Sequence, residues 1–111
     1  MTRRKPPDRG DIVWLEFSPQ SGHERAGRRP ALVLSPASYN AAAGLALVCP
    51  ITSGAKGYPF EVPLDSALGV SGVVLADAVR SVDWHERKAK LAGRAPAEVI
   101  ETVRARLQTL I

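Results

Sequence analysis

Residues 22–30 read Gly22-His23-Glu24-Arg25-Ala26-Gly27-Arg28-Arg29-Pro30, which places one imidazole, one carboxylate and three guanidinium groups within a few positions. Arginine suits phosphate, because its planar fork makes bidentate contacts and keeps its charge at any physiological pH. A carboxylate among arginines can serve as a base, although neighbouring positive charge lowers its pKa and weakens it. The plain alternative is a surface loop whose solvated ion pairs contribute little. A second polar stretch, Thr52-Ser53-Gly54-Ala55-Lys56-Gly57, follows an apolar run. Hydroxyls, glycines and a lysine there could bind phosphate oxygens through side chains and backbone N–H groups. The spacing is not that of a Walker A loop, and taken alone the stretch reads better as an ordinary hairpin turn. His23 and His85 invite a two-histidine ribonuclease mechanism, but neither has metal-ligand spacing to Cys, Asp or another His. Cys49 is the only cysteine and sits among apolar residues, as a small buried side chain would.

The elements that must carry these residues can be read from the hydropathy pattern. Residues 1–9 look like a flexible basic arm, with Pro6-Pro7 resisting regular structure. Asp11–Phe17 is apolar and β-prone, and reads as a strand. Residues 18–29 are polar and read as one long loop, after which Pro30 opens a short buried strand over residues 31–35. Residues 38–43 could form one helical turn ended by Gly44. Leu45–Thr52 is the most apolar stretch and reads as a central strand, with Pro50 at a bend or bulge. Residues 60–64 alternate apolar and other side chains, and residues 72–76 and 78–84 complete about six strands. Beyond Pro96, Val99, Ile100, Val103, Leu107 and Leu110 recur at helical spacing, giving an amphipathic C-terminal helix. Helices do not alternate with strands as crossovers would require, so the pattern predicts a mainly antiparallel β-barrel or curled sheet with one helix against it.

Length and composition agree with a single small domain over 1–111: 111 residues, 45% apolar and 23% charged. No apolar run approaches the roughly 20 residues that span a bilayer, and the basic N-terminus leads into no apolar signal core. One cysteine excludes an internal disulfide and multi-cysteine zinc sites, so a reducing, cytoplasmic setting is expected. The formal net charge is +4, with positive excess in residues 1–30 and 80–111 and an acidic middle. If the two basic ends meet in space, they make an anion-attracting face.

Several ordered blocks make the sequence resemble the MazF/PemK-type toxins of bacterial toxin–antitoxin pairs. They are Gly10-Asp11-Ile12-Val13-Trp14, then Gly22-x-Glu24-x-Ala26-Gly27-x-Arg29-Pro30-Ala31-Leu32-Val33-Leu34-Ser35, then Pro50-Ile51-Thr52. Lys56-Gly57-Tyr58-Pro59-Phe60-Glu61-Val62 and Leu75-Ala76-Asp77-x-Val79-Arg80-Ser81 follow in family order, so the likeness spans nearly the whole chain. The resemblance implies an SH3-like β-barrel with a C-terminal helix, as a homodimer. It implies a metal-independent, cofactor-free endoribonuclease that cuts single-stranded RNA, often mRNA, at a short sequence. It also implies a cognate, MazE-like antitoxin whose acidic and apolar segment covers the RNA site. Carried over position by position, Glu24 is the candidate base, Arg29 the stabiliser of phosphoryl charge and Thr52 the hydroxyl that hydrogen-bonds phosphate. Arg25, Arg28, Ser53, Lys56 and Arg80 are the candidate RNA contacts. The chain departs from better-known members at Arg28, where histidine or an apolar residue is found, at Ser53, and over residues 65–72. A toxin of the same fold that binds and poisons DNA gyrase without catalysis is the alternative, and such a binder has no need of Glu24, Arg29 and Thr52.

Overall fold

The computed structural model describes residues 5–17, 27–64 and 70–111. Among these lie β1 (Asp11–Phe17), β2 (Gly27–Val33), α1 (Ala37–Ala43), β3 (Leu45–Thr52), β4 (Glu61–Leu64), β5 (Gly72–Leu75), β6 (Arg80–Asp83), β7 (Lys90–Arg94) and α2 (Ala97–Gln108). The strands run in the order β4-β5-β3-β2-β1-β7, with β6 also pairing β3, and every pairing is antiparallel. The sheet curls into a half-open barrel of the SH3-like type with α2 against it, the mainly β architecture that the sequence predicts.

The curl follows from strands that are apolar on both faces. Successive side chains in a strand point to opposite sides. On one side Ile12, Leu32, Cys49 and Ile51 join Val62, Val74 and the α2 residues Val99 and Val103. On the other, Val13, Leu15, Ala31, Val33, Ala46 and Val48 pack with Val82 and Trp84. β1, β2 and β3 are therefore the shared wall of two cores, which explains the apolar runs Ile12–Leu15, Ala31–Val33 and Val48–Cys49 within them. β3 pairs β6 over Leu45–Val48 and β5 over Ile51–Thr52. Pro50, which has no N–H to donate, lies just where one neighbour hands over to the other. α2 begins after Pro96, with Glu98 in its first turn and Arg106 in its last, both charges matching the helix dipole.

Three differences from the sequence reading have physical causes. β2 starts at Gly27, not after Pro30, so Arg28 and Arg29 belong to a strand and not to the loop assigned to residues 18–29. The β1 ladder extends this far, pairing Phe17 with Gly27, Glu16 with Arg28 and Leu15 with Arg29. Among the described residues β7 is a seventh strand, paired only with β1 and mostly exposed, with Lys90 and Arg94 at its ends, as an edge strand is. Of the arm expected over residues 1–9, residues 1–4 lie outside the described residues and residues 7–9 are held against the body. The buried Asn40 side chain donates to the Pro7 carbonyl at 2.8 Å, the Ala37 N–H donates to the Asp8 carboxylate at 2.9 Å, and Arg9 Nε donates to the Leu34 carbonyl at 2.7 Å. Trp84 Nε1 donates to the Asn40 carbonyl at 2.8 Å, so one buried asparagine ties the N-terminus, α1 and the end of β6 together. No helix among the described residues is long and apolar enough to cross a membrane.

Candidate functional site

The ladder between β2 and β3 ends at the pair Ala31–Pro50. Beyond it, the first residues of β2 stay with β1, while the last two of β3 pair with β5. The wall therefore parts. Gly27–Arg29 forms one lip of the gap, and Thr52 with the loop that follows forms the other. Continuing the register past its last pair would set Arg29 against Thr52 and Arg28 against Ser53. By that register Arg28, Arg29, Thr52 and Ser53 lie along the two edges of one gap. Glu24, Arg25 and His23 lie outside the described residues.

Alternation separates the two described arginines of the first lip. Arg29 shares its side of β2 with Ala31 and Val33, and Thr52 shares its side of β3 with Ala46 and Val48, all four in the second core. Arg28 points the other way: its guanidinium stands 5.2 Å from the centre of the Trp14 ring, which packs on the first core. Arg80, at the start of β6, faces the Arg29 side, with its guanidinium 5.6 Å from the Phe17 ring. Arg87 approaches the same ring to 4.5 Å. Phe17 thus carries two cations over its half-buried ring. Nothing in the sequence pattern distinguished Arg87; its role comes from the turn between β6 and β7, which brings it back over the end of β1.

The second lip is built by side chains acting on backbone. The Thr52 hydroxyl oxygen accepts from the Gly54 N–H at 3.1 Å, which leaves its own hydrogen free to donate. The Glu61 carboxylate accepts from the Lys56 N–H at 2.9 and 3.1 Å and from the Gly57 N–H at 2.8 Å. The Pro59 carbonyl accepts from Arg106 of α2. Gly72, with φ +124°, packs so closely that a Cβ there would stand 2.1 Å from the Thr52 carbonyl oxygen. These contacts correct one expectation. The backbone N–H groups of Gly54, Lys56 and Gly57, offered by the sequence as phosphate donors, already have internal acceptors. The side chains that face solvent from this loop include the polar Ser53 and Lys56 and the ring of Tyr58.

His85 is exposed in the turn after β6, edge-on to Trp84 with ring centres 6.1 Å apart. Burial, reinforced by Asp77, pushes the Cys49 thiol up to about 12, which keeps it protonated and inert at neutral pH. No three of the described His, Cys, Asp and Glu residues cluster so as to hold a metal ion.

A family model described as PemK-like, MazF-like toxin of type II toxin–antitoxin system matches residues 8–111. The chain belongs to this family. It is 45% identical over 111 residues to the endoribonuclease toxin MazF of Escherichia coli K12, covering 100% of this chain and 99% of that one. It is 47% identical over 116 residues to the endoribonuclease toxin ChpB of the same strain, with the same coverage. A crystal structure of MazE–MazF (Form-II) from Deinococcus radiodurans superposes with TM-score 0.88 at 62% identity, covering 94% of each chain. The MazF/PemK membership and the SH3-like fold inferred from the ordered sequence blocks therefore hold.

Proposed function

We propose that this endoribonuclease toxin of the MazF/PemK family cuts single-stranded RNA, mRNA included, at a short sequence and without a metal ion. The 2′-oxygen attacks the adjacent phosphorus as Glu24 takes the 2′-OH proton. Arg29 holds the charge that builds on the phosphoryl oxygens, and Thr52 donates its hydroxyl hydrogen to one of them. The P–O5′ bond breaks and the departing oxygen takes up a proton from solvent water. The products carry a 2′,3′-cyclic phosphate and a 5′-OH. Arg25, Arg28, Ser53, Lys56 and Arg80 contact the RNA. The observation that carries this reading is the placement of Arg29 and Thr52 on the same side of the wall, at facing lips of one gap.

A cognate antitoxin that silences the toxin by covering this opening fits the MazE–MazF complexes among its structural relatives. A second copy of the chain would give cover to Tyr39, Leu45 and Leu47, which are large, apolar and exposed. Cytoplasmic mRNA is the target consistent with this role.

The test is to incubate the purified chain with a long single-stranded RNA in excess chelator and map the cut ends. Defined cuts with 5′-OH ends are expected, lost in Arg29→Ala and in Glu24→Ala while both variants stay folded. Undiminished cutting by both variants would remove the assigned residues. Intact RNA alongside DNA damage in expressing cells would favour a gyrase poison instead.

A further inference from the structure

We propose that Glu61 is a positioning residue of the RNA site: its carboxylate fixes the loop after β3 so that the Lys56 ammonium is presented to an RNA phosphate. The inference rests on the reading of the site as an RNA site.

Glu61 opens β4, where its backbone is set by pairing with Leu75 of β5. From that fixed point the carboxylate reaches back across the loop to two consecutive amides, those of Lys56 and Gly57, with three N–H···O contacts of 2.8 to 3.1 Å. Hydrogen bonds to an ionised acceptor are roughly twice as strong as neutral ones. These close a loop that strand pairing does not reach. Gly57 has φ +82°, so the chain turns there in a conformation that the Glu61 contacts lock. The Lys56 backbone is held on both sides, by Gly54 on the Thr52 hydroxyl and by Gly57 on Glu61. Its ammonium has no ion-pair partner among the described residues. The one carboxylate close in sequence spends its oxygens on backbone, leaving the exposed lysine ammonium without a carboxylate partner among the described residues.

A competing arrangement makes the inference falsifiable. Two adjacent amides are also a ready phosphate cradle. If RNA phosphate used them, Glu61 would be a competitor to be displaced, and its removal would improve binding. A positioning residue predicts the opposite sign.

The experiment compares the full chain with Glu61→Ala, Glu61→Gln, Lys56→Ala and the Lys56→Ala/Glu61→Ala double variant. The measurements are kcat and KM for a defined RNA, the affinity for a non-cleavable 2′-deoxy analogue, and amide exchange at Lys56 and Gly57. Glu61→Ala is expected to lose kcat/KM on the order of tenfold to a hundredfold, the scale of a small misplacement of a contacting group. The analogue should bind more weakly, and exchange at the two amides should quicken. Glu61→Gln, which keeps one acceptor oxygen, should fall between wild type and Glu61→Ala and serves if Glu61→Ala does not fold. In the Lys56→Ala background the further loss from Glu61→Ala should be under about twofold, because coupled residues are not additive. Unchanged cleavage, tighter analogue binding, or losses that multiply with those of Lys56→Ala would each overturn the proposal. A wild-type chain that cuts no RNA would overturn the functional reading and this inference with it; wild-type cutting matched by Glu61→Ala would overturn this inference alone.

Discussion

The two lips of the opening are made in different ways. Gly27–Arg29 is held by the backbone ladder to β1, and its side chains are exposed. Thr52 and the loop after it are held by side chains and by close approach: Glu61 on two amides, Arg106 on the Pro59 carbonyl, and Gly72 against the Thr52 carbonyl. On the first lip, then, folding asks almost nothing of the side chains, and Arg28 and Arg29 are free to serve binding. On the second, the residues that shape the site also shape the chain. Substitutions on the first lip should separate activity from stability, and substitutions on the second should mix them.

A pair of glycines gives the largest contrast. Gly27 and Gly72 both have left-handed φ, +110° and +124°, and each opens a strand at one lip. A Cβ at Gly27 would meet nothing among the described residues within 4 Å, whereas one at Gly72 would collide with Thr52 backbone atoms at 2.1 and 2.8 Å. Gly27→Ala should cost only the backbone strain, about 1–2 kcal/mol. Gly72→Ala adds a clash that no rotamer can relieve and should cost at least about 3 kcal/mol, with cleavage lost as Thr52 is pushed away. Denaturant unfolding of both variants measures this. Equal destabilisation would erase the distinction between the lips.

Neighbouring arginines provide the next test. Arg29 and Thr52 share one side of the wall, and Arg28 lies on the other over Trp14. Arg29→Ala should lower kcat by about 10²–10³, the scale of losing one group that stabilises transition-state charge. Arg28→Ala should weaken RNA binding and reduce the slope of log affinity against log salt by about 0.7, as one lost phosphate contact does on a single strand. Its stability should change by no more than about 1 kcal/mol, the worth of an exposed cation–π pair. Equal losses in kcat would mean that strand alternation does not sort these two side chains.

The same contrast decides what could be read from the sequence. β1 and β3 were legible because each carries a long apolar run, Ile12–Leu15 in one and Leu45–Cys49 in the other. α2 was legible from Val99, Val103 and Leu107 at helical spacing. Gly27–Arg29 was not legible as strand, since its ladder is invisible in side chains that all face solvent. β7 escaped for the same reason, as a charged edge with one neighbour. At the site, arginines and hydroxyls announced themselves by type. Glu61 and Gly72 did not, although Glu61 stands in a block that resembles the family, because their work is done on backbone amides and a backbone carbonyl. A pattern of residue types can rank side chains that meet a ligand; it does not rank those that meet the main chain.

The smallest effect belongs to a region remote from both lips, where a side chain also acts on backbone but nothing functional is shaped. The Asp8 carboxylate accepts from the N–H of Ala37, at the start of α1, and from the N–H of Arg9. These two bonds hold its pKa below the ordinary value of 3.8, the Ala37 amide contributing most. A carboxyl whose folded pKa is depressed stabilises the fold above its unfolded value, and loses that contribution as pH falls through the folded one. Asp8→Asn keeps an oxygen for both amides but cannot titrate. Its unfolding free energy should match wild type more closely as the pH drops below about 4, and cleavage at neutral pH should be unchanged. A variant that cut RNA poorly at neutral pH would show that the N-terminal tie reaches the opening, and that side-chain-to-backbone bonds matter to activity wherever they occur and not only at the second lip.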